Sequence, residues 1–244
     1  MSIMGLVEYL DWDSNFFGFK IGRMRIENNP IQPKILDKAI DEARAQDIKC
    51  LYVELPFSIP EVLAYCSESR FVLVDLKTTL GKKLDNETRR IISKNITYKL
   101  ENKFYPYLKK IVKQVSITSR YSYDLKFGTD KSCLLYKEWL RKSFYEKYCD
   151  DFIVYVKDNK PAGFITIKTK DKHPYIDLLG VSNEQREKGI GKCLINDAER
   201  KLSRAGYNAL KVVTQGHNIS ALRTYQSMNF KIESINIYYH KWID

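Results

Sequence analysis

Hydrophobic positions in the first third of the chain alternate between the spacing of strands and the spacing of helices. Apolar residues at every second position predict strands over residues 16–26 and 71–80, and a short apolar run predicts a strand over 50–55. Apolar residues three and four positions apart predict helices over 35–45 and 60–66. This order of elements indicates a small α/β module.

A second, longer stretch of patterned sequence follows a charged segment at residues 82–94. It predicts strands over 95–100, 152–156, 162–168, 175–181, 210–214 and 232–241, and helices over 105–115, 130–148, 189–205 and 220–228. The residues Lys157-Asp158-Asn159-Lys160-Pro161 are typical of a hairpin turn. The shift in composition places a boundary near residue 90, which gives predicted domains over 1–90 and 91–244. A charged surface loop inside one domain fits the same segment equally well.

Composition then narrows the class of protein. The 244 residues are 44% hydrophobic and 29% charged, as in globular proteins, and no apolar run is long enough to span a membrane. The amino-terminal residues lack a basic segment before an apolar core, so no signal peptide is predicted. Five scattered cysteines without a CxxC pair suit free thiols in a reducing cytoplasm. The net charge of +11 favours an anionic partner, and nucleic acid, acidic lipid and polyphosphates all fit it.

The stretch richest in chemical information is an R-x-x-G-x-G turn between a predicted strand and a predicted helix. Its residues are Arg186, Glu187, Lys188, Gly189, Ile190 and Gly191. Two glycines let the backbone approach a ligand closely, and the amides at a helix start point toward it together. Lys188 and Lys192 add positive charge. The turn therefore predicts a pyrophosphate-binding site, although its order matches neither a P-loop nor a dinucleotide fingerprint.

This turn and its surroundings, over residues 95–241, resemble the GNAT superfamily of acyl-CoA N-acyltransferases. The resemblance implies an α/β (α+β type) GNAT fold, with a mixed, mostly antiparallel sheet flanked by helices and preceded by a smaller, half-GNAT-like α/β module. It also implies that acyl-CoA enters between two splayed strands as co-substrate. The implied CoA-binding residues are Leu179 and Val181 for the pantetheine arm, Arg186 to Lys192 for the pyrophosphate, and Asn218 and Ala221 on the following helix.

The resemblance also implies catalytic roles. Tyr225, on the same helix face as Ala221, would protonate the departing CoA thiolate, and a buried core tyrosine is the alternative interpretation. Backbone N–H near Val181 would stabilise the oxyanion as a neutral amine attacks the thioester directly. Asp177 is the candidate base, and a solvated strand residue is the alternative. The three histidines lack metal-ligand spacing, so no metal site is expected.

The acceptor is suggested by two further segments. The pattern from Trp12 to Gly18, W-D-S-N-F-F-G, resembles the opening of the dTDP-fucosamine acetyltransferases, and Ser119-Arg120-Tyr121 adds a second local similarity. Trp12, Phe16 and Phe17 are expected to anchor a turn and a strand. The resemblance implies transfer of an acetyl or short hydroxyacyl group to a dTDP-linked 3- or 4-amino-dideoxy sugar, for O-antigen or another surface polysaccharide. Aromatic candidates for the sugar nucleotide are Tyr121, Tyr123, Tyr136 and Trp139, and ordinary packing is the alternative for each.

Three other functions remain open at this stage. A GNAT enzyme acting on protein or peptide amines would share the fold. A nucleic-acid-binding module would use the basic stretches 82–94 and 99–113, with Tyr105 and Tyr107 interleaved. A CoA-binding regulatory domain would keep the fold without the chemistry. The favoured interpretation is a cytoplasmic enzyme whose partners are acyl-CoA and a dTDP-amino sugar, without nucleic acid or membrane, and the resemblance suggests a homodimer.

Overall fold

A computed structural model describes residues 6–26, 32–56, 60–84 and 93–244. The chain divides into two compact units that are interleaved in sequence. Unit 1 contains Met1–Lys77, Tyr123–Lys126 and Ile235–Asp244, and unit 2 contains Thr78–Ser122 and Phe127–Ser234. The boundary predicted near residue 90 lies outside the described residues.

Unit 1 is a small α/β module. Its elements are β1 (Glu8–Tyr9), α1 (Asp11–Phe17), β2 (Ile21–Arg25), α2 (Lys34–Ala45), β3 (Cys50–Pro56), α3 (Pro60–Glu68), the start of β4 (Val72–Lys83) and the end of β10 (Lys231–Trp242). Because α2 crosses over between β2 and β3, these two strands run parallel, whereas β1 and β10 pair antiparallel with β2 and β3 respectively. Apolar residues of α2, β3 and β10, among them Leu36, Val53 and Ile237, form one buried core.

The aromatic opening of unit 1 differs from its prediction. The strand predicted over residues 16–26 begins only at Ile21, because the segment before it forms α1. The Trp12 and Phe16 rings, four positions apart, stack at 5.3 Å on this helix. Gly18 ends the helix in the left-handed conformation, with φ of 79° and its N–H bonded to the Ser14 carbonyl. The apparent strand alternation of the aromatic residues here was therefore misleading.

Unit 2 contains the larger sheet. Its elements are β5 (Ile96–Thr97), α4 (Tyr105–Ser116), α5 (Gly128–Tyr145), β6 (Asp151–Lys157), β7 (Lys160–Lys170), β8 (His173–Val181), α6 (Ile190–Arg204), β9 (Ala209–Gln215) and α7 (Ile219–Ser227). The strands lie in the order β9-β8-β7-β6-β5, and of these pairs only β8 and β9 run parallel. Helices α4 and α5 share one hydrophobic core with the sheet, and α6 shares another. The predicted fold class, a mixed sheet flanked by helices, is confirmed.

Turn chemistry explains where several elements of unit 2 begin and end. Asp158 and Asn159 both take positive φ values, 50° and 59°, as a two-residue hairpin between β6 and β7 requires. Gly206 follows α6 at φ 86°, and Asn229 follows α7 at φ 65°. The helix predicted over 189–205 has apolar residues four positions apart, a spacing that predicts one inward face. In α6 these residues are buried: they are Ile190, Leu194, Ala198 and Leu202. The strand predicted over residues 95–100 is shorter, and only Ile96–Thr97 pairs.

A pair of glycines lets helices pack closely on both faces of the β7–β8 ladder. A methyl group on Gly180 would lie 2.8 Å from Ile111 Cγ2 and 3.0 Å from Val115 Cγ2, both on α4. A methyl group on Gly163 would lie 3.1 Å from Ile190 Cγ2 on α6. These distances are shorter than ordinary carbon contacts, so α4 sits where it does because residue 180 has no side chain.

We expect Gly180→Ala to destabilise the protein by about 1–3 kcal/mol, because the added methyl overpacks the contact with α4. Gly191→Ala is the matched control, since its methyl would lie at ordinary distances of 3.8 and 3.9 Å from its neighbours. Urea unfolding of both variants measures the difference. Equal midpoints for Gly180→Ala and the wild type would contradict this account of the packing.

Candidate functional site

Strands β8 and β9 separate after a short pairing. Their register covers Tyr175 with Lys211 and Ile176 with Val212, and in the described chain β8 continues from there with β7 alone. The second half of β8 therefore has one paired edge and one open edge. Such an edge offers N–H and C=O groups to an extended ligand.

The open edge belongs to Leu179 and Val181. The Ser182 N–H donates to the Ala162 carbonyl at 2.9 Å, and the β7–β8 register then places Val181 opposite Gly163 and Leu179 opposite Ile165. In an antiparallel ladder, hydrogen-bonded pairs alternate with pairs whose backbone groups point away. The N–H and C=O groups of Leu179 and Val181 consequently point away from β7, toward the gap that β9 leaves.

A β-bulge at Asp177 changes the direction of the side chains on β8. Thr166 pairs with Leu178 and Ile167 pairs with Ile176, so Asp177 is the extra residue, and the Thr166 hydroxyl accepts the Leu178 N–H at 3.0 Å. Ile176 lies in the core beneath α6, whereas Leu178 lies in the core beneath α4 and α5. A regular strand would keep both on one face.

The loop after β8 delivers a set of amides to the end of this open edge. Glu187 and Gly189 have φ values of 62° and 77°, and Gly189 caps α6. The Cys193 N–H donates to the Gly189 carbonyl at 2.9 Å, so the amides of Ile190, Gly191 and Lys192 are those that a helix start leaves without an intrahelical acceptor. Residues 186–189 are exposed, which leaves the loop accessible to an anion.

Helix α4 and the loop itself hold this conformation. The Gln114 side-chain oxygen accepts the Asn183 N–H at 3.0 Å. The Lys188 ammonium donates to the Glu184 carbonyl at 2.8 Å, and the Arg186 Nε lies 3.5 Å from the Val181 carbonyl oxygen. Lys188 and Arg186 therefore contact the loop's own backbone in this state.

Helix α7 closes the other side of the gap. Gly191 faces both Val181 and Thr224, since a methyl group there would lie 3.8 Å and 3.9 Å from their Cγ2 atoms. Asn218 is the N-cap of α7: its side-chain oxygen accepts the Ala221 N–H at 3.3 Å, and its amide nitrogen lies 3.5 Å from Thr118 Oγ1. The structure thus brings together β8, the start of α6 and the start of α7, as the predicted CoA residues require.

Tyr225 lies in α7 and is 5% exposed. Its ring packs at 5.6 Å from the Phe230 ring, and no hydrogen-bond partner for its hydroxyl is found in the described part of the chain. Burial raises the pKa of this phenol well above its ordinary value. The Tyr225 phenol is therefore protonated at neutral pH.

Asp177 is partly buried beside a lysine. Its Oδ2 atom lies 3.2 Å from the Lys168 ammonium on β7, and the two side chains are 22% and 17% exposed. Burial raises the pKa of the Asp177 carboxyl, and the Lys168 charge opposes that rise. Asp177 is therefore a partly buried, ion-paired residue and not a fully solvated one.

The four aromatic residues predicted for the sugar nucleotide have different surroundings. Tyr121 is 1% exposed, packs against Phe127 at 5.3 Å and accepts a 2.6 Å hydrogen bond from Arg120. Tyr136 and Trp139 contact each other at 4.9 Å on α5, with Tyr136 buried and Trp139 half-buried. Tyr123 is exposed and belongs to unit 1. Tyr123 and Trp139 therefore have exposed ring surface on which a ligand could stack.

Sequence reasoning missed three side chains that shape the site: Gln114, Thr118 and Lys168. Lys168 pairs with Tyr175 in the hairpin register, so aligning the two predicted strands would have placed it near Asp177. Gln114 and Thr118 act through α4, and nothing in the sequence indicates which loop that helix meets.

Metal-binding groups and membrane-spanning helices were both considered for the described chain. Across the described residues, no group of three or more His, Cys, Asp and Glu side chains is arranged to hold a metal ion. Within the same residues, every helix is too short or too polar to cross a bilayer.

The chain is similar to several known proteins. Residues 121–230 match the acetyltransferase (GNAT) family. The spore coat polysaccharide biosynthesis protein SpsD of Bacillus subtilis is 26% identical over 124 residues, which is 51% of this chain and 43% of that protein. The chain thus spans less than half the length of this relative.

Two solved structures share the fold. A functionally unknown conserved protein from Staphylococcus epidermidis superposes with a TM-score of 0.67 at 16% identity, covering 97% of this chain and 90% of that one. A GCN5-related N-acetyltransferase from Sphaerobacter thermophilus gives 0.61 at 13% identity, covering 91% and 73%. These likenesses show a shared fold, and residues 121–230 are similar to the acetyltransferase (GNAT) family.

Proposed function

We propose that the protein transfers an acyl group from acyl-CoA to the amine of a dTDP-linked amino-dideoxy sugar, in the synthesis of a surface polysaccharide. The observation that carries the acyl-CoA half is the open edge of β8, which leads directly to the amide-rich start of α6. An extended arm joined to a pyrophosphate matches both parts. CoA has this form.

The open edge would bind the pantetheine arm as an added strand. Leu179 and Val181 each direct one N–H and one C=O toward the gap, and the two amides of pantetheine provide complementary groups. The amides of residues 187–192 then receive the pyrophosphate, where the helix dipole also favours negative charge. Ile190 is buried and can contribute only its backbone.

Tyr225 would act as the general acid. The acceptor amine attacks the thioester carbonyl, and collapse of the tetrahedral intermediate releases a thiolate that needs a proton. The Tyr225 phenol is protonated at neutral pH, so it can donate a hydrogen bond to the sulfur as negative charge develops there, and the proton follows as the thiolate leaves. A backbone N–H near Val181 that the pantetheine arm does not use is the candidate oxyanion donor.

The sugar-nucleotide acceptor is supported by three observations. The net charge of +11 would attract two polyanionic substrates. The Trp12–Gly18 pattern resembles the dTDP-fucosamine acetyltransferases, and the similar SpsD protein is a spore coat polysaccharide biosynthesis protein. A peptide amine is the competing acceptor, since the chemistry at the thioester would be the same.

We expect Gly191→Trp to abolish CoA binding, because an indole at this position would fill the space between Val181 and Thr224. Gly191→Ala should bind CoA within a few-fold of the wild type, since its methyl meets only ordinary contacts. Isothermal titration with CoA measures both, and thermal unfolding confirms that both variants are folded. Wild-type affinity in a folded Gly191→Trp variant would place the CoA site elsewhere.

We expect Tyr225→Phe to lower kcat by about 10²-fold while CoA affinity stays near the wild-type value, as loss of a general acid predicts. Tyr207→Phe is the matched control, because Tyr207 is a partly buried tyrosine packed on the same core. Single-turnover kinetics ensure that chemistry limits the measured rate. Unchanged single-turnover rates in Tyr225→Phe would remove its assignment as the acid.

The acceptor is tested by measuring CoA thiol release from acetyl-CoA with dTDP-3-amino- and dTDP-4-amino-dideoxy sugars, in parallel with a lysine peptide. We expect release with one of the two amino sugars alone. Release with the peptide alone would replace the sugar acceptor with a protein acceptor. Absence of release with every acceptor, despite CoA binding in the titration, would favour a regulatory CoA-binding domain.

A further inference from the structure

A second chemical feature lies beside the open edge of β8, on the side of α4 and α5. The bulge sets Asp177 out of the regular strand, and the Lys168 ammonium approaches its carboxylate from the neighbouring strand at 3.2 Å. The same ammonium lies 3.5 Å from the centroid of the Tyr148 ring. A carboxylate on one side and an aromatic face on the other therefore hold the cation in place.

The other titratable groups around Asp177 are Tyr175, Cys149, Tyr148 and Asp150, and Lys142 lies farther away beside the Tyr148 ring. Burial raises the pKa of Tyr175 on β8 to about 12 and the pKa of the Cys149 thiol to about 11, so both stay protonated. Asp150, in the segment between α5 and β6, accepts a hydrogen bond from the Thr169 N–H. On α5, the Lys142 ammonium lies 5.6 Å from the Tyr148 ring. Lys168 is consequently the cation in direct contact with Asp177 within the described chain.

An acyltransferase that uses direct attack must solve a protonation problem. Aliphatic amines are largely ammonium ions at neutral pH, and an ammonium ion has no lone pair with which to attack a thioester. A lone carboxylate would bind that ammonium and stabilise the unreactive form. A carboxylate that already touches a fixed cation behaves differently, since the two positive charges repel each other across a few ångströms.

We propose that Lys168 is a positioning residue for the reaction: it keeps Asp177 ionised and disfavours the ammonium form of the acceptor, so that the amine reaches the thioester neutral. The inference rests on the proposed acyltransferase function and holds for either class of amine. Tyr148 supports it by holding the Lys168 ammonium against Asp177.

The acceptor nitrogen loses two protons during the reaction. The acceptor ammonium gives one proton to the Asp177 carboxylate, which passes it to solvent. The nitrogen lone pair then forms the C–N bond, and the C–S bond breaks when the tetrahedral intermediate collapses. Tyr225 protonates the thiolate, and the second amine proton returns to the Tyr225 phenolate through solvent. The products are the amide, CoA thiol and one released proton.

The test compares Lys168→Met with Lys170→Met, a matched control on the exposed end of the same strand. The measurement is the pH profile of kcat/KM for the acceptor at saturating acetyl-CoA. Because an opposite charge at this distance lowers a carboxyl pKa by about one unit or more, we expect the acidic limb of Lys168→Met to move up by about one pH unit. On that limb, its activity should be about tenfold below that of the wild type at the same pH. Lys170→Met should keep the wild-type profile.

Two further variants protect the test against loss of folding. Lys168→Arg retains the charge and should restore the acidic limb, whereas a role in packing alone would not follow the charge. Lys168→Gln replaces the Met variant if that one unfolds. An unchanged acidic limb in a folded, neutral variant would overturn the proposal.

A direct titration separates this proposal from the proposed function. Carbon-13 NMR of labelled aspartate carboxyls, assigned with Asp177→Asn, reports the ionisation of Asp177 without any acceptor. We expect its midpoint to rise by about one pH unit in Lys168→Met. If no acceptor turns over while the midpoint rises, the enzymatic function fails and the charge coupling stands. If the midpoint stays at the wild-type value, the proposal is wrong whatever the acceptor.

Discussion

Two parallel strands that pair along their whole length satisfy each other's backbone groups and leave nothing for a ligand. In this protein β8 and β9 share only the pairs at Tyr175 and Ile176 before they separate. Leu179 and Val181 then face a gap with backbone groups that must meet water or a ligand, because unsatisfied polar backbone is costly to bury. The loop after β8, the start of α6 and the N-cap of α7 all border that gap, so the candidate site follows from the loss of pairing.

The bulge at Asp177 connects this backbone edge with acid–base chemistry. One extra residue sends Leu179 and Val181 toward the core of α6 and turns Asp177 and Leu178 toward α4 and α5. Lys168 can then reach the carboxylate from the adjacent strand. In a regular strand Leu178 would lie on the same face as Ile176, and Leu179 and Val181 would lie on the face of Asp177, because side chains alternate strictly.

Much of this arrangement could be predicted from residues that act locally. Gly189, Gly206 and Asn229 take the left-handed conformation that their types favour, and the α6 stripe is buried as its spacing predicted. The errors arose where distant contacts decide the outcome. Trp12 and Phe16 stack on a helix that resembled a strand, and Gln114 reaches Asn183 across 69 positions in sequence. Periodicity reports which face a side chain takes, and does not report what will lie opposite it.

Unit 1 combines segments that lie far apart in sequence, and this affects the order in which it can fold. Strand β3 pairs with β10, and Leu51 lies opposite Lys241. This partner is synthesised about 190 positions later. During synthesis β3 therefore has, for a time, an edge whose backbone N–H and C=O groups lack a partner strand. Such edges invite association with other chains, and closing so long a loop slows folding. Residues 235–244 therefore complete the pairing of β3. A nascent chain that does not yet contain them leaves β3 open to non-native pairing.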